Sequence, residues 1–147
     1  MPWSTEVLCT DADVIEEEPK IIQWKGEGTL SKWRQLAKDK IEERLKYLLR
    51  SQALIMDVTL DEICDHILDT TPLKRSAIYM TLFCLTKAAS IQPQDLMDGK
   101  SKDYWELFRD EWTRAVGSIS LDSDESGTIE DAETYNVAID ATFRMGG

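Results

Sequence analysis

Apolar residues recur every three or four positions along most of the chain, a spacing that predicts helices. Leu30, Trp33, Ala37, Ile41, Leu45 and Leu48 form one stripe, so a long helix starts near Thr29 or Ser31. Its opposite face carries Lys32, Arg34, Lys38, Lys40, Arg44, Lys46 and Arg50 against Asp39, Glu42 and Glu43, which makes it amphipathic and locally basic. Asp57 to Leu60 break the pattern, and Leu60, Ile63, Cys64, Ile67 and Leu68 give a short second helix. Thr71-Pro72 is a restart signal, a capping residue followed by proline at a first helical position that needs no N–H. From Ala77 to Ala89 the run is apolar on most sides, as in the buried centre of a bundle. Pro93 and Gly99 bracket a polar loop. Tyr104, Leu107, Phe108, Trp112 and Ala115 then mark the inner face of a helix over about 101–116, ended or bent by Gly117-Ser118. Ahead of the long helix, Thr10-Asp11 cap a short helix that stops before Pro19, and Gly26 and Gly28 mark a loop.

The remainder changes character. SLDSDESGTIEDAE is a polar loop, and Tyr135, Val137, Ile139, Ala141 and Phe143 then sit two apart. Period two means extended chain, an edge strand or an arm that pairs with another chain. The fold class is therefore mainly α: a small helical bundle of about four to five helices with an acidic loop and an extended C-terminal arm. Its expected divisions are an N-terminal segment with a short helix (1–28), the helical bundle (29–119), the acidic turn (120–133) and the arm (134–147).

Composition agrees with a globular chain: 147 residues, 42% hydrophobic and 31% charged. That length suits one domain that needs no disulfide or metal to hold its core. No run approaches 18 apolar residues, and the acidic N-terminus lacks the basic start and apolar core of a signal peptide. Cys9, Cys64 and Cys84 are an odd set without C-x-x-C spacing. They are expected to be reduced, with Cys84 a small buried hydrophobe. The net charge of −11 is uneven. Residues 1–19 hold six acids and no base, and residues 115–147 hold seven acids and one base, Arg144. Acidic ends repel phosphates and favour solubility or a basic partner.

The sharpest chemical motif runs from Asp122 to Glu133. Asp122, Asp124, Ser126, Thr128, Glu130 and Glu133 occupy positions 1, 3, 5, 7, 9 and 12 of a calcium-binding loop, with Gly127 at position 6 and Ile129 at position 8. A hard cation needs several oxygens, and the glycine permits the turn that converges them. Against calcium, Gly117-Ser118 interrupts the entering helix, the exiting segment reads as extended, and there is one loop only. The alternative is an acidic turn without metal. His66 is the single histidine, so no zinc site on imidazoles forms in one copy. Cys64 lies two residues away and does not share its face. No catalytic residue is assigned, and the chain is expected not to be an enzyme. The interleaved acids turn the basic helix away from nucleic acid binding. Trp33, Trp105 and Trp112 are expected in the core, and Trp3 and Trp24 are candidate interface anchors.

The order of elements resembles the head-to-tail adaptor (head completion or connector) proteins of tailed bacteriophages. The likeness rests on Arg75-Ser-Ala-Ile-Tyr79-Met and Phe83-Cys-Leu-Thr-Lys-Ala-Ala in the central helix. It rests also on Tyr104-Trp-Glu-Leu-Phe108-Arg-Asp-Glu-Trp112 leading into the acidic turn, and it spans about residues 29–145. It implies a homo-oligomeric ring, usually twelve-fold, between portal and tail, in the neck of the virion after assembly in the host cytoplasm. The portal protein and a tail, stopper or terminator protein would be partners, with genomic DNA passing through and no membrane. The arm residues Tyr135, Val137, Ile139 and Phe143 would contact a partner. The other reading is a calcium-binding regulatory module with a single EF-hand-like loop.

Overall fold

The computed structural model describes residues 2–21, 29–90 and 96–121. Five α-helices are present among them: α1 (Asp11–Glu17), α2 (Ser31–Leu48), α3 (Arg50–Met56), α4 (Lys74–Ala89) and α5 (Leu96–Val116). Short 3-10 turns lie at Trp3–Thr5, Ile63–His66 and Thr71–Leu73. The described chain is thus mainly helical, a small helical bundle, and its one β-type feature is an isolated antiparallel bridge between Ile67 and Leu121. None of its helices is long and apolar enough to cross a membrane. The acidic turn from Asp122 onward and the arm of residues 134–147 lie outside the described residues.

Local chemistry accounts for the helix ends. Thr10 caps α1 in a closed box: its hydroxyl accepts from the Asp13 N–H at 3.2 Å, and the Asp13 carboxylate accepts from the Thr10 N–H at 2.8 Å. Glu18, before Pro19, leaves the helical region (φ −138°, ψ 88°), since the proline ring disfavours helical backbone in its neighbour. The long apolar stripe is buried at Leu30, Ala37, Ile41, Leu45 and Leu48, while Trp33 is half-buried. At Leu49 the backbone loosens to φ −96°, ψ 10°. The hydrogen-bond ladder nevertheless continues, from Leu49 N–H to Leu45 O and from Ala53 N–H to Leu49 O, so α3 carries on where α2 stops.

α3 ends at Asp57 in the left-handed region (φ 58°), and the Val58 N–H reaches back to the Ala53 carbonyl. This is the usual wrapped helix end, with aspartate where glycine is commoner. The expected second helix over 60–68 is only a 3-10 turn, because Ile63, Cys64 and Ile67 are buried while Leu60 stays 47% exposed. The Asp69 carboxylate accepts from both the N–H and the hydroxyl of Thr71, and this starts the 3-10 turn that feeds α4. α5 begins at Leu96, earlier than the expected 101, and Gly99 is a helical residue rather than a loop boundary.

The chain divides into two compact units, each gathered from separated stretches. Unit 1 holds residues up to Glu6, Ile41–Leu73 and the part from Trp112 onward; unit 2 holds Val7–Lys40 and Lys74–Glu111. In unit 1, Trp3, Ile41, Leu45, Leu49, Ile63, Ile67, Leu73, Trp112, Ile119 and Leu121 are buried. In unit 2 the central helix α4 is buried at Ser76–Leu82 and Cys84–Thr86, as its all-round apolar run predicts. Its polar members Thr81 and Thr86 are satisfied locally, each hydroxyl donating 2.7 Å to the carbonyl four residues back. α1 packs on α4, and Trp105 sits 5.0 Å from Phe83 and 5.6 Å from Phe108 between ring centres.

Candidate functional site

The candidate calcium ligands Asp122, Asp124, Ser126, Thr128, Glu130 and Glu133, and the arm residues Tyr135, Val137, Ile139 and Phe143, all lie outside the described residues. The root of that segment is described. After α5, Gly117-Ser118 turns the chain, and Ile119, Ser120 and Leu121 are buried in unit 1. The Leu68 N–H donates to the Ser120 carbonyl at 3.1 Å, and Leu121 bridges Ile67. Two apolar side chains and a backbone bond therefore fix the point at which the acidic turn begins.

Among the described residues no three His, Cys, Asp or Glu side chains gather as a metal site. All three thiols are buried. Burial raises each of them, Cys64 up to about 12. A thiol held so high is almost entirely protonated near neutrality and is a poor nucleophile.

Trp3 is not an interface anchor. It is 5% exposed in unit 1, and its N–H donates 2.7 Å to Asp65. The Thr70 hydroxyl donates to Glu6 at 3.2 Å, so the first residues are tied to the loop before α4. Trp24 lies outside the described residues; Trp112 is buried and Trp105 half-buried.

Four acids of the N-terminal stretch are tied to other parts of unit 2. In unit 2, Asp11 accepts from the Arg34 guanidinium at 2.6 Å and from the Leu30 N–H at 3.3 Å. Asp13 lies 3.3 Å from Lys74. Glu17 accepts from the Tyr79 hydroxyl at 3.1 Å, which itself accepts from Arg75 at 2.8 Å. Glu18 accepts from the Tyr104 hydroxyl at 2.7 Å and from Lys100 at 3.3 Å. Burial on its own would raise the Glu18 carboxyl, but these two donors outweigh it and hold the group below its ordinary value. Asp13 is also held low, chiefly by the Thr10 N–H. Burial raises both tyrosine hydroxyls, with a further rise at Tyr104 from Glu18.

One surface carries exposed apolar side chains: Tyr47 is 59% exposed, Leu54 83% and Ile55 73%. The Arg50 guanidinium lies 4.6 Å from the centre of the Tyr47 ring. The sequence held the signal for this face: Tyr47-Leu48-Leu49 and Ala53-Leu54-Ile55-Met56 are apolar on more sides than one buried stripe requires. No family model matches the chain, and no curated protein or solved structure matches it either.

Proposed function

We propose that this protein is a structural assembly subunit without catalytic activity, a head-to-tail adaptor that forms a ring between the portal and the tail of a tailed-phage particle. The observation that carries this reading is the anchored root at Leu121. An acidic turn and a strand-patterned segment follow directly from a point held by Ile67, Leu68 and the buried Ile119. An extended segment rooted in a folded body gains main-chain hydrogen bonds by adding to a partner, which gives affinity without a pocket. The acids of 122–133 repel DNA phosphates, which suits a channel through which DNA slides. Twelve copies and the portal as partner come from the resemblance of the sequence alone.

Mass photometry and negative-stain images of the full chain, alone and with a portal ring, test the reading. Closed rings or portal-bound rings are expected, and chains ending at Leu121 are expected to keep their helical circular dichroism and lose the rings. A chain that stays free of the portal at every concentration would overturn the reading. The spacing of Asp122–Glu133 favours a second reading, calcium binding. Saturable calorimetric heat with calcium, lost in Asp122→Ala, would raise it above the first.

A further inference from the structure

We infer that residues 7–18 form a strap on unit 2 that opens as one piece in acid, before the helices beneath it unfold. The hold of the strap on its unit is mostly polar. Its buried side chains are Leu8, Cys9 and Val14. Against these stand carboxylates bonded to three other helices. Asp11 meets Arg34 of α2 at 2.6 Å, and Asp13 meets Lys74 of α4 at 3.3 Å. Glu17 accepts from Tyr79 of α4 at 3.1 Å, and Glu18 accepts from Tyr104 and Lys100 of α5 at 2.7 and 3.3 Å. α1 has seven residues, short of the roughly 12–15 that a helix needs to hold in water, so it depends on its docking and its cap. α4 is held differently, buried at Ser76–Leu82 and Cys84–Thr86. Apolar burial carries no proton, so acid leaves it in place while it removes the bonds of the carboxylates.

Acid unfastens the strap at both ends of α1. The Asp13 carboxylate closes the capping box with Thr10 and also meets Lys74, so one proton there uncaps α1 and undocks it. Glu18 is the residue that ends α1, and a proton there removes its attraction for Lys100 and weakens its hold on Tyr104. Asp13 and Glu18 are held below their ordinary values of 3.8 and 4.5. Their contribution is therefore present above those values and lost as pH falls through the folded-state ones. The groups that face the strap do not change charge over that range. Arg34 from α2, Lys74 and Arg75 from α4, Lys100 from α5 and Lys20 beside Glu18 stay cationic, while Tyr79, Tyr104 and the Cys9 thiol stay protonated. Glu111, 3.5 Å from Arg75, shares that cation with Glu17. Protonated carboxylates leave these cations without their counter-charge, and the repulsion among them favours the open strap.

The strap belongs to the fold of the single chain and does not rest on the adaptor reading. Cys9 reports on it. Its side chain is bonded to Thr81, and its carbonyl accepts from Arg34 at 3.2 Å. Cys84 in α4 and Cys64 in unit 1 are internal controls, because both are buried outside the strap. The full chain is pulsed with a pyridyl disulfide, which labels thiols in acid, and each cysteine is read by peptide mass spectrometry. Rates are taken relative to a short thiol peptide at the same pH. As pH falls below 4.5 and then 3.8, the relative rate at Cys9 should rise by about tenfold or more. Cys64 and Cys84 should change by less than about threefold, and the helical circular dichroism should fall by no more than the share of α1. At neutral pH, the double variant Asp13→Asn, Glu18→Gln should label Cys9 about tenfold faster than the native chain, with a flatter pH dependence. A rise shared equally by all three cysteines overturns the inference, since strap and helices then open together. So does labelling of Cys9 that is indifferent to pH. If the double variant fails to fold, the pH series of the native chain decides by itself.

Discussion

The bond between Glu18 and Tyr104 is the sharpest test of how the N-terminal stretch is held. The Glu18 carboxylate is 17% exposed and Tyr104 is 8% exposed, so water can do little to replace a lost partner. A hydrogen bond to a charged group contributes about 1.5–3 kcal/mol, and leaving a buried donor unpaired costs about 1–3 kcal/mol. The Lys100 pair, with its lysine 30% exposed, adds only about 0.2–1 kcal/mol. Glu18→Ala should therefore cost about 2–3 kcal/mol, roughly a 4–12 °C fall in Tm for a chain of this size. Tyr104→Phe should cost about 1–2 kcal/mol, and the double variant should reveal a coupling of about 1–2 kcal/mol.

Urea titrations followed by circular dichroism at neutral pH give all four corners of that cycle. The pH dependence is a second check. Glu18 is held below its ordinary value of 4.5, so its contribution is present above that pH and is lost as pH falls through the folded-state value. The coupling should fade as pH falls below 4.5. A cost under about 0.5 kcal/mol with no coupling, or a coupling indifferent to pH, would refute the reasoning.

Four further outcomes follow from the same geometry. Gly99 is a helical residue with nothing within 4 Å of an added Cβ, so Gly99→Ala should stabilise by about 0.5–1 kcal/mol in thermal melts. Phe108 is fully buried, and Phe108→Ala should cost about 3–5 kcal/mol in urea. Cys9, Cys64 and Cys84 should resist a thiol reagent in the native protein and all react once it is unfolded, as absorbance would record. Tyr79 and Tyr104 are raised above their ordinary 10, so the stability they contribute is present below pH 10 and lost as pH rises beyond it. Tyr104→Phe should therefore flatten the alkaline limb of a pH–stability curve.

Periodicity and capping chemistry were legible because they are local. The Thr10 cap, the stripe from Leu30 to Leu48 and the buried run in α4 all follow from residues within one or two turns of each other. The 60–68 stretch misleads because Ile63, Cys64 and Ile67 satisfy a helical spacing while a four-residue 3-10 turn buries them just as well. Gly99 reads as a loop residue only if propensity outweighs the continuing pattern of α5. The bonds made by Asp11, Asp13, Glu17 and Glu18 were not legible. Their partners Arg34, Lys74, Tyr79, Lys100 and Tyr104 lie far along the chain, and a charge count cannot tell a solvated carboxylate from one tied to α4 or α5. Trp3 was misjudged for a related reason: its burial depends on the distant Ile63–Leu73 stretch of unit 1, through Asp65.

The interleaving of the two units has a consequence for how the chain is made. Unit 2 needs α5 through Glu111, and unit 1 needs its first residues as well as the stretch ending in the bridge at Leu121. Neither can close on a ribosome that has released only the first half of the chain. α1 waits for α4, and Trp3 waits for Asp65. Such long-range closure slows folding and ties it to the completed polypeptide. A chain truncated within α5 would leave both cores open, so the cell's proteases would see nicked or prematurely ended copies as unfolded.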